Sequence, residues 1–262
     1  MSAVLKEVAG TAGSTLGGAL ASHAAQTVFA LHGVGLRFGQ LQALQDISLS
    51  IRNGEAVALV GANGSGKSTL LRVLHGLLQP TEGQRACLDS ARQAMLFQRP
   101  FMLRTSAQNN VALALWLRGT PWREARSQAL AAMARVGLAD KADQPARTLS
   151  GGQQQRMALA HAWALQPDVL MLDEPTASLD PHAKREVEQL IADFCAAEGR
   201  AAPVTLVFAS HNLGQVKRLA TRVIYLEQGR VQADLPVHEF FDAERLQAAS
   251  PAAHLFVKGE LV

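Results

Sequence analysis

The sequence predicts an α/β fold: a mostly parallel sheet core, an antiparallel β part toward the N-terminus and a helical block inserted between strands. Three observations carry this. Short apolar runs at Val169–Leu172, Val204–Ala209 and Val223–Leu226 read as strands, with a helical pattern between the first two. A nearly continuous run of Ala, Val and Leu from Glu55 to Val60 reads as a strand buried on both faces and leads into a glycine-rich loop. Between about Arg99 and Thr148 the period changes from strand to helix.

Taken in order, residues 1–26 are rich in Ala, Gly, Ser and Thr, with Lys6 their only Lys or Arg, and read as a flexible extension rather than a secretory signal. From Thr27 the apolar residues alternate through Phe29 and Leu31, then Ile47, Leu49 and Ile51. Asn53-Gly54 separates this run from Glu55–Val60, and the spacing predicts an antiparallel hairpin across that turn. A helix is expected from Ser68. In the helical block Trp122, Ala125, Ala129, Met133 and Val136 share one helix face, after Thr120-Pro121 as a start and before Gly137 as a stop. No internal repeat is visible. The chain divides into the extension 1–26 and one domain, 27–262, with its helical subdomain at about 99–160.

Composition narrows the function. Hydrophobic residues make up 48% and charged residues 18% of 262, the balance of a compact globular chain. No apolar run approaches the roughly 18 residues of a membrane span, the nearest being short stretches such as Val111–Leu117. The net charge of +3 is small and dispersed, which argues against a nucleic-acid surface. Cys87 and Cys195 lie far apart, near no partner spaced for a metal, and suit two reduced thiols.

Gly61-Ala62-Asn63-Gly64-Ser65-Gly66-Lys67-Ser68-Thr69 fits G-x-x-x-x-G-K-[ST] between a strand and a helix, the context that gives the match meaning. Glycines let backbone N–H groups wrap phosphates, the helix start adds partial positive charge, Lys67 reaches the outer phosphates and Ser68 offers a Mg²⁺ ligand. Val169–Leu172 ends in Asp173-Glu174, at the strand end where open α/β sheets bind ligands. There Asp173 is expected to hold Mg²⁺ and Glu174 to polarise the attacking water, with Pro175 stopping the strand.

Leu149-Ser150-Gly151-Gly152-Gln153, opening the helical run Gln154–Leu165, is where the sequence resembles the ATP-binding cassette (ABC) family, whose signature is LSGGQ. Ser150 with the bare amides of Gly151 and Gly152 is either a plain helix cap or a second anion site. The resemblance covers about Thr27 to Val231 and implies a P-loop NTPase fold: a RecA-like, mostly parallel core with an N-terminal antiparallel β-subdomain and a helical subdomain. It implies an ATPase that uses ATP and Mg²⁺. The signature, Ser150 to Gln153, would close over the γ-phosphate held by a second subunit, so a homodimer, or a pair with a second cassette, is implied.

Other positions match the family in order. Phe38 matches the aromatic residue that stacks on adenine, although its spacing also suits a core position. Gln98 matches the glutamine loop that touches Mg²⁺ and water. Ser178-Leu179-Asp180 matches the segment crossing the dimer interface, and Asp180 also reads as an ordinary cap before Pro181. His211 matches the histidine that contacts γ-phosphate. Two positions depart: His161, where the family commonly has arginine, and Asn212, where aspartate is usual.

A cassette of this kind implies integral membrane permease subunits, a substrate-binding protein reached through them, and a place on the cytoplasmic face of the membrane. Phe101, Met102 and Leu103, between Arg99 and Arg104, suit either a groove for a short permease helix or packing inside the helical block. The Gln98-Arg99-Pro100 run with Met102-Leu103-Arg104 after it, and the closing Phe240-Phe241 and Lys258-Gly259-Glu260-Leu261, are similar to cassettes of tungstate and related oxyanion importers. Exporter cassettes and non-transport cassette ATPases are the alternatives; the paired cassettes or long coiled-coil insertion of the latter are not seen here.

Overall fold

The computed structural model describes residues 26–88, 90–196 and 203–259. The extension expected over 1–26 lies outside these apart from Gln26, as do Glu260 and Leu261 of the oxyanion-type ending.

Two sheets carry the fold. β1 (Thr27–Phe38), β2 (Leu41–Arg52) and β4 (Glu82–Cys87) form an antiparallel sheet in the order β2-β1-β4. β3 (Ala56–Val60), β5 (Gln93–Leu96), β6 (Val169–Asp173), β7 (Thr205–Ala209), β8 (Arg222–Glu227) and β9 (Arg230–Pro236) form the second, in the order β5-β6-β7-β3-β8-β9. All its pairings are parallel except β8 with β9, which joins antiparallel at the edge.

The expected hairpin across Asn53-Gly54 is corrected. β2 pairs with β1, Phe29 opposite Ile51 and Val34 opposite Ile47, whereas β3 lies in the other sheet between β7 and β8. Hydrogen bonds explain the switch. The Gly54 N–H donates to Thr205 Oγ1 at 2.9 Å, and the Leu206 N–H donates to the Glu55 carbonyl at 2.8 Å, so β7 captures the chain as it leaves the turn. Burial explains it too: β2 alternates and needs one covered face, while β3 is apolar on both faces and belongs inside a parallel sheet.

Side-chain alternation on β3 divides the core. Ala58 and Val60 face one way, with Leu170, Leu172, Leu206 and Phe208, beneath the larger helices. Val57 and Leu59 face the other way, with Met171, Val207 and Ile224, and are covered by α1 (Lys67–His75) and the antiparallel sheet. Leu70, Leu71, Val73 and Leu74 of α1 are fully buried there.

The helical block holds α2 (Ala107–Leu117), α3 (Trp122–Arg135) and α4 (Gly151–Leu165), which pack on one another. Ser106 caps α2 by accepting from the Asn109 N–H. On α3, Ala125, Ala129 and Met133 are fully buried, as their spacing predicts, while Trp122 stays exposed against the edge of Trp116. α5 (Pro181–Cys195) and α6 (Leu213–Leu219) flank β7, and α7 (Val237–Phe240), α8 (Ala243–Ala249) and α9 (Pro251–Lys258) close the chain after β9.

Candidate active site

The loop after β3 runs along the carboxyl end of the parallel sheet. Gly61 has φ 146°, and a Cβ there would meet the Leu226 carbonyl oxygen at 2.1 Å, so only glycine lets the loop leave the strand. Gly66, at φ 104°, precedes α1 and supplies no side-chain cap. The first N–H groups of α1 therefore keep their donors for a ligand. Lys67 is 6% exposed, and its Nζ donates to the carbonyls of Gly61 at 2.8 Å and Ala62 at 2.9 Å. Burial pushes its pKa down, and the charges of Glu174 and Asp173 partly offset this. The Ser65 hydroxyl is buried without a hydrogen-bond partner in the protein.

Asp173 ends β6 and is 5% exposed. Its Oδ1 accepts from Ser68 Oγ at 2.7 Å, and Arg72 Nη2 stands 3.8 Å from Oδ2. The register of β6 and β7 sets Asp173 opposite Ala209, so the residues just beyond the two strands converge. The Glu174 N–H donates to the Ala209 carbonyl, and Glu174 Oε2 lies 2.5 Å from His211 Nδ1. Glu174 sits at φ 51°, a left-handed conformation that costs a non-glycine residue about 1–3 kcal/mol and is commonest at functional sites. Behind the pair, Ser210 Oγ donates to Gln215 Oε1 at 2.7 Å and Gln215 Nε2 donates to Thr176 Oγ1 at 3.1 Å. This buried network ties the loop after β6 to the loop after β7.

Phe38, Gly61, Ala62, Asn63, Gly64, Gly66, Lys67, Ser68, Thr69, Gln98, Glu174 and His211 line one cleft of about 690 Å³. The fold thus gathers residues from the ends of β1, β3, β5, β6 and β7. The donor set fits Mg²⁺. The Ser68 hydroxyl and Asp173 carboxylate already meet, Gln98 lines the same cleft as Ser68, and among the described residues no group of three His, Cys, Asp or Glu is placed to hold a metal ion. Mg²⁺ takes few protein oxygens and fills its shell with phosphate and water, which suits a site of this composition.

The signature turn stands apart. Ser150 caps α4: its Oγ accepts from the Gln153 N–H at 3.3 Å, and Gln153 Oε1 accepts from the Ser150 N–H at 3.0 Å. Ser150 through Gln153 line a separate hollow of about 250 Å³ together with Ser178, Leu179 and Asp180. A Cβ on Gly151 would meet nothing within 4 Å. Asp180 caps α5, its Oδ1 accepting from the N–H groups of His182 and Ala183, which hold its carboxyl below the usual value.

Sequence reasoning missed several residues here. Arg72 was legible, one helical turn after Ser68. Gln215 and Thr176 carried no signal beyond being polar, and Phe256 reaches the cleft only because α9 folds back on β8. The two departures have local accounts. Asn212 Oδ1 caps α6 by accepting from the Gln215 N–H, a bond an aspartate would also make. His161 Nε2 lies 2.6 Å from the Asn110 carbonyl and joins α4 to α2.

The profile described as ABC transporter matches residues 44–177. The chain is 42% identical over 215 residues to an aliphatic sulfonates import ATP-binding protein of Pseudomonas aeruginosa, covering 79% of this chain and 75% of that one. It is 36% identical over 216 residues to a glutamine transport ATP-binding protein of Escherichia coli, covering 77% and 88%. Among solved structures, an ATP-binding cassette captured as a dimer in a post-hydrolysis state with ADP and Pi superposes with a TM-score of 0.71 at 29% identity, covering 80% of this chain and 98% of that one. With the phosphate loop, the acidic strand end and the capped signature helix on one α/β frame, the chain belongs to the ABC transporter family, as an ATP-hydrolysing cassette.

Proposed function

We propose that the chain powers import of a solute as one of two cassettes joined head to tail, docked on integral membrane permease subunits at the cytoplasmic face and served through them by a substrate-binding protein. The observation that supports this reading is the separation within one chain of the phosphate loop and the signature turn, each lining its own hollow. A nucleotide held at one needs the other from a second copy. The dimeric relative with ADP and Pi is consistent with that geometry.

In this reading Phe38 stacks on adenine, Gly61 to Thr69 wrap the phosphates, and Ser68, Asp173 and Gln98 hold Mg²⁺. Bound Mg²⁺ would neutralise charge on the outer phosphates. Glu174, fixed by its strained backbone and by His211, takes a proton from the attacking water, while His211 faces the γ-phosphate. Ser150 accepts from Gln153, so its own hydroxyl hydrogen stays available to the partner's γ-phosphate, beside the N–H groups of Gly151 and Gly152. Asp180 lies in the same hollow and faces the second subunit.

The permease contact is assigned to an apolar groove of about 360 Å³ lined by Leu77, Phe97, Phe101, Met157 and Leu165, among others. Of the three residues singled out in the loop, Phe101 is 78% exposed and Leu103 36%, whereas Met102, at 7%, packs into the core. The first two suit a docking helix. For cargo we favour an oxyanion such as tungstate, on the resemblance in the 98–104 loop and the closing segment. Similarity to relatives named for sulfonates and for glutamine shows that cassette sequence separates cargoes weakly.

Replacing Glu174 by Gln tests the core of the proposal. Hydrolysis should fall by about 10²- to 10⁴-fold, and the variant with ATP should elute as a dimer in size-exclusion chromatography. A variant that turns over normally, or stays monomeric with ATP at high concentration, refutes it.

A further inference from the structure

The cleft has two chemically different ends. Around Lys67, Ser68, Glu174 and His211 it is polar and charged. Toward the turn between β1 and β2 it is lined by Phe38, Leu41, Gln42 and Ala43, with Phe38 and Leu41, 49% and 66% exposed, supplying its apolar surface. Phe256 lines this cleft too, and it comes from α9, far along the chain from any residue of the phosphate loop.

Its position is fixed by packing. Tyr225 on β8 pairs with Val60, the residue directly before Gly61, and is 1% exposed. The Phe256 ring rests on Tyr225, centroids 5.2 Å apart and planes inclined by 44°. The neighbouring residues Ala253 and His254 are buried, which anchors α9, while Phe256 itself stays partly exposed to the cleft. A partly buried aromatic ring, held by a rigid aromatic neighbour and lining a cavity, has the make-up of a stacking platform.

We propose that Phe256 is a positioning residue for the nucleotide base: with Phe38 and Leu41 it encloses the adenine ring, making the C-terminal helix part of the ATP site. The inference rests on the nucleotide-site reading above. It assigns a role to a segment beyond the residues 44–177 that match the family profile. The chemistry is that of a flat, weakly polar heterocycle between apolar faces, which depends on the base and not on the phosphates.

The test is ATPase kinetics of the full chain, with inorganic tripolyphosphate as a competitor that carries charge and no base. Phe256→Ala should raise KM for ATP roughly ten-fold while leaving kcat within about two-fold and tripolyphosphate inhibition unchanged. Phe256→Leu keeps apolar packing on Tyr225 and guards against a folding defect; it should show the same KM increase in smaller degree. Phe256→Tyr should restore KM. Combined with Phe38→Ala, the increase should fall short of the product of the single effects, because both rings serve one base.

A Phe256→Ala chain with unchanged KM and only a lower melting temperature overturns the proposal, as does equal weakening of ATP and tripolyphosphate. Undiminished hydrolysis after Lys67→Ala refutes the nucleotide-site reading itself, and the Phe256 assignment falls with it.

Discussion

Two helix starts in this molecule face outward with glycine beside them, and they are built in opposite ways. At α1 the residue before the helix is Gly66, left-handed and without a side chain, so the cap position offers the first N–H groups no side-chain acceptor. Lys67 is buried there and Asp173 stands close. At α4 Ser150 and Gln153 cap each other, the turn is exposed, and no acidic residue stands in the first turn. A bare, enclosed start with a buried ammonium holds an anion by itself. A capped, exposed start offers an anion only about 0.3–1 kcal/mol, and becomes useful when another surface supplies the rest. One chain thus carries an enclosed helix start and an exposed one, each lining its own hollow, and under the proposed function these are a strong and a weak half-site, with assembly favoured only when nucleotide is present.

The largest effect should come from breaking the strong half. Lys67→Ala removes the buried cation of the loop after β3 and, under the proposed function, should lower kcat for ATP by about 10²- to 10³-fold, the scale for losing one preorganised electrostatic group. Phosphate-release assays at saturating MgATP measure it. A loss under about three-fold would place the catalytic charge elsewhere.

Next in size is the strand exit. Gly61→Ala sets a Cβ 2.1 Å from the Leu226 carbonyl oxygen at a φ of 146°, so the loop or β8 must shift. The strain should cost about 1–3 kcal/mol, read as a lower denaturation midpoint in urea, with ATP affinity falling alongside. Gly151→Ala is the matching change in the weak half. Nothing lies within 4 Å of the added methyl, and the urea midpoint should hardly move.

The same contrast shows what the sequence made legible. The phosphate loop and the acidic strand end are local: nine consecutive residues and one apolar run ending in Asp173-Glu174 carry their own geometry. The Ser150 cap is local as well. Pairing is not. Asn53-Gly54 looked like a hairpin turn because its signal reports local bending and is silent about which strand waits beyond it; Thr205, far along the chain, decides that. β4, with the sequence EGQRAC, has a mostly exposed and irregular pattern, and only its pairing to β1 makes it a strand. Phe256 and the Ser210-Gln215-Thr176 network were hidden for the same reason, since their partners are chosen by the completed fold.

A finer probe of the weak half is Ser150→Ala. Losing the cap should destabilise the chain by about 1 kcal/mol. Binding of ATP to the isolated monomer, followed by equilibrium dialysis, should stay as it was, because the strong half is untouched. ATP-driven dimer formation in the Glu174→Gln background should weaken. A loss of monomer affinity would mean that the two hollows communicate within one chain.

The smallest expected effect concerns the seam between α2 and α4, where His161 replaces the family's arginine. Burial pushes its imidazole below the ordinary value of 6.5, and the Asn110 carbonyl offsets this only in part. Between that lowered value and 6.5 the unfolded chain binds more protons than the folded one, so stability falls as pH drops through this window and levels off below it. His75, which lines the same groove and is lowered by burial and by Arg85, adds a slope of the same sign. His161→Gln keeps an N–H for the Asn110 carbonyl and removes one titration. Its melting temperature should therefore fall less steeply than that of the parent chain from about pH 7 to about pH 5, leaving the share due to His75; identical slopes would show that the seam does not sense protons.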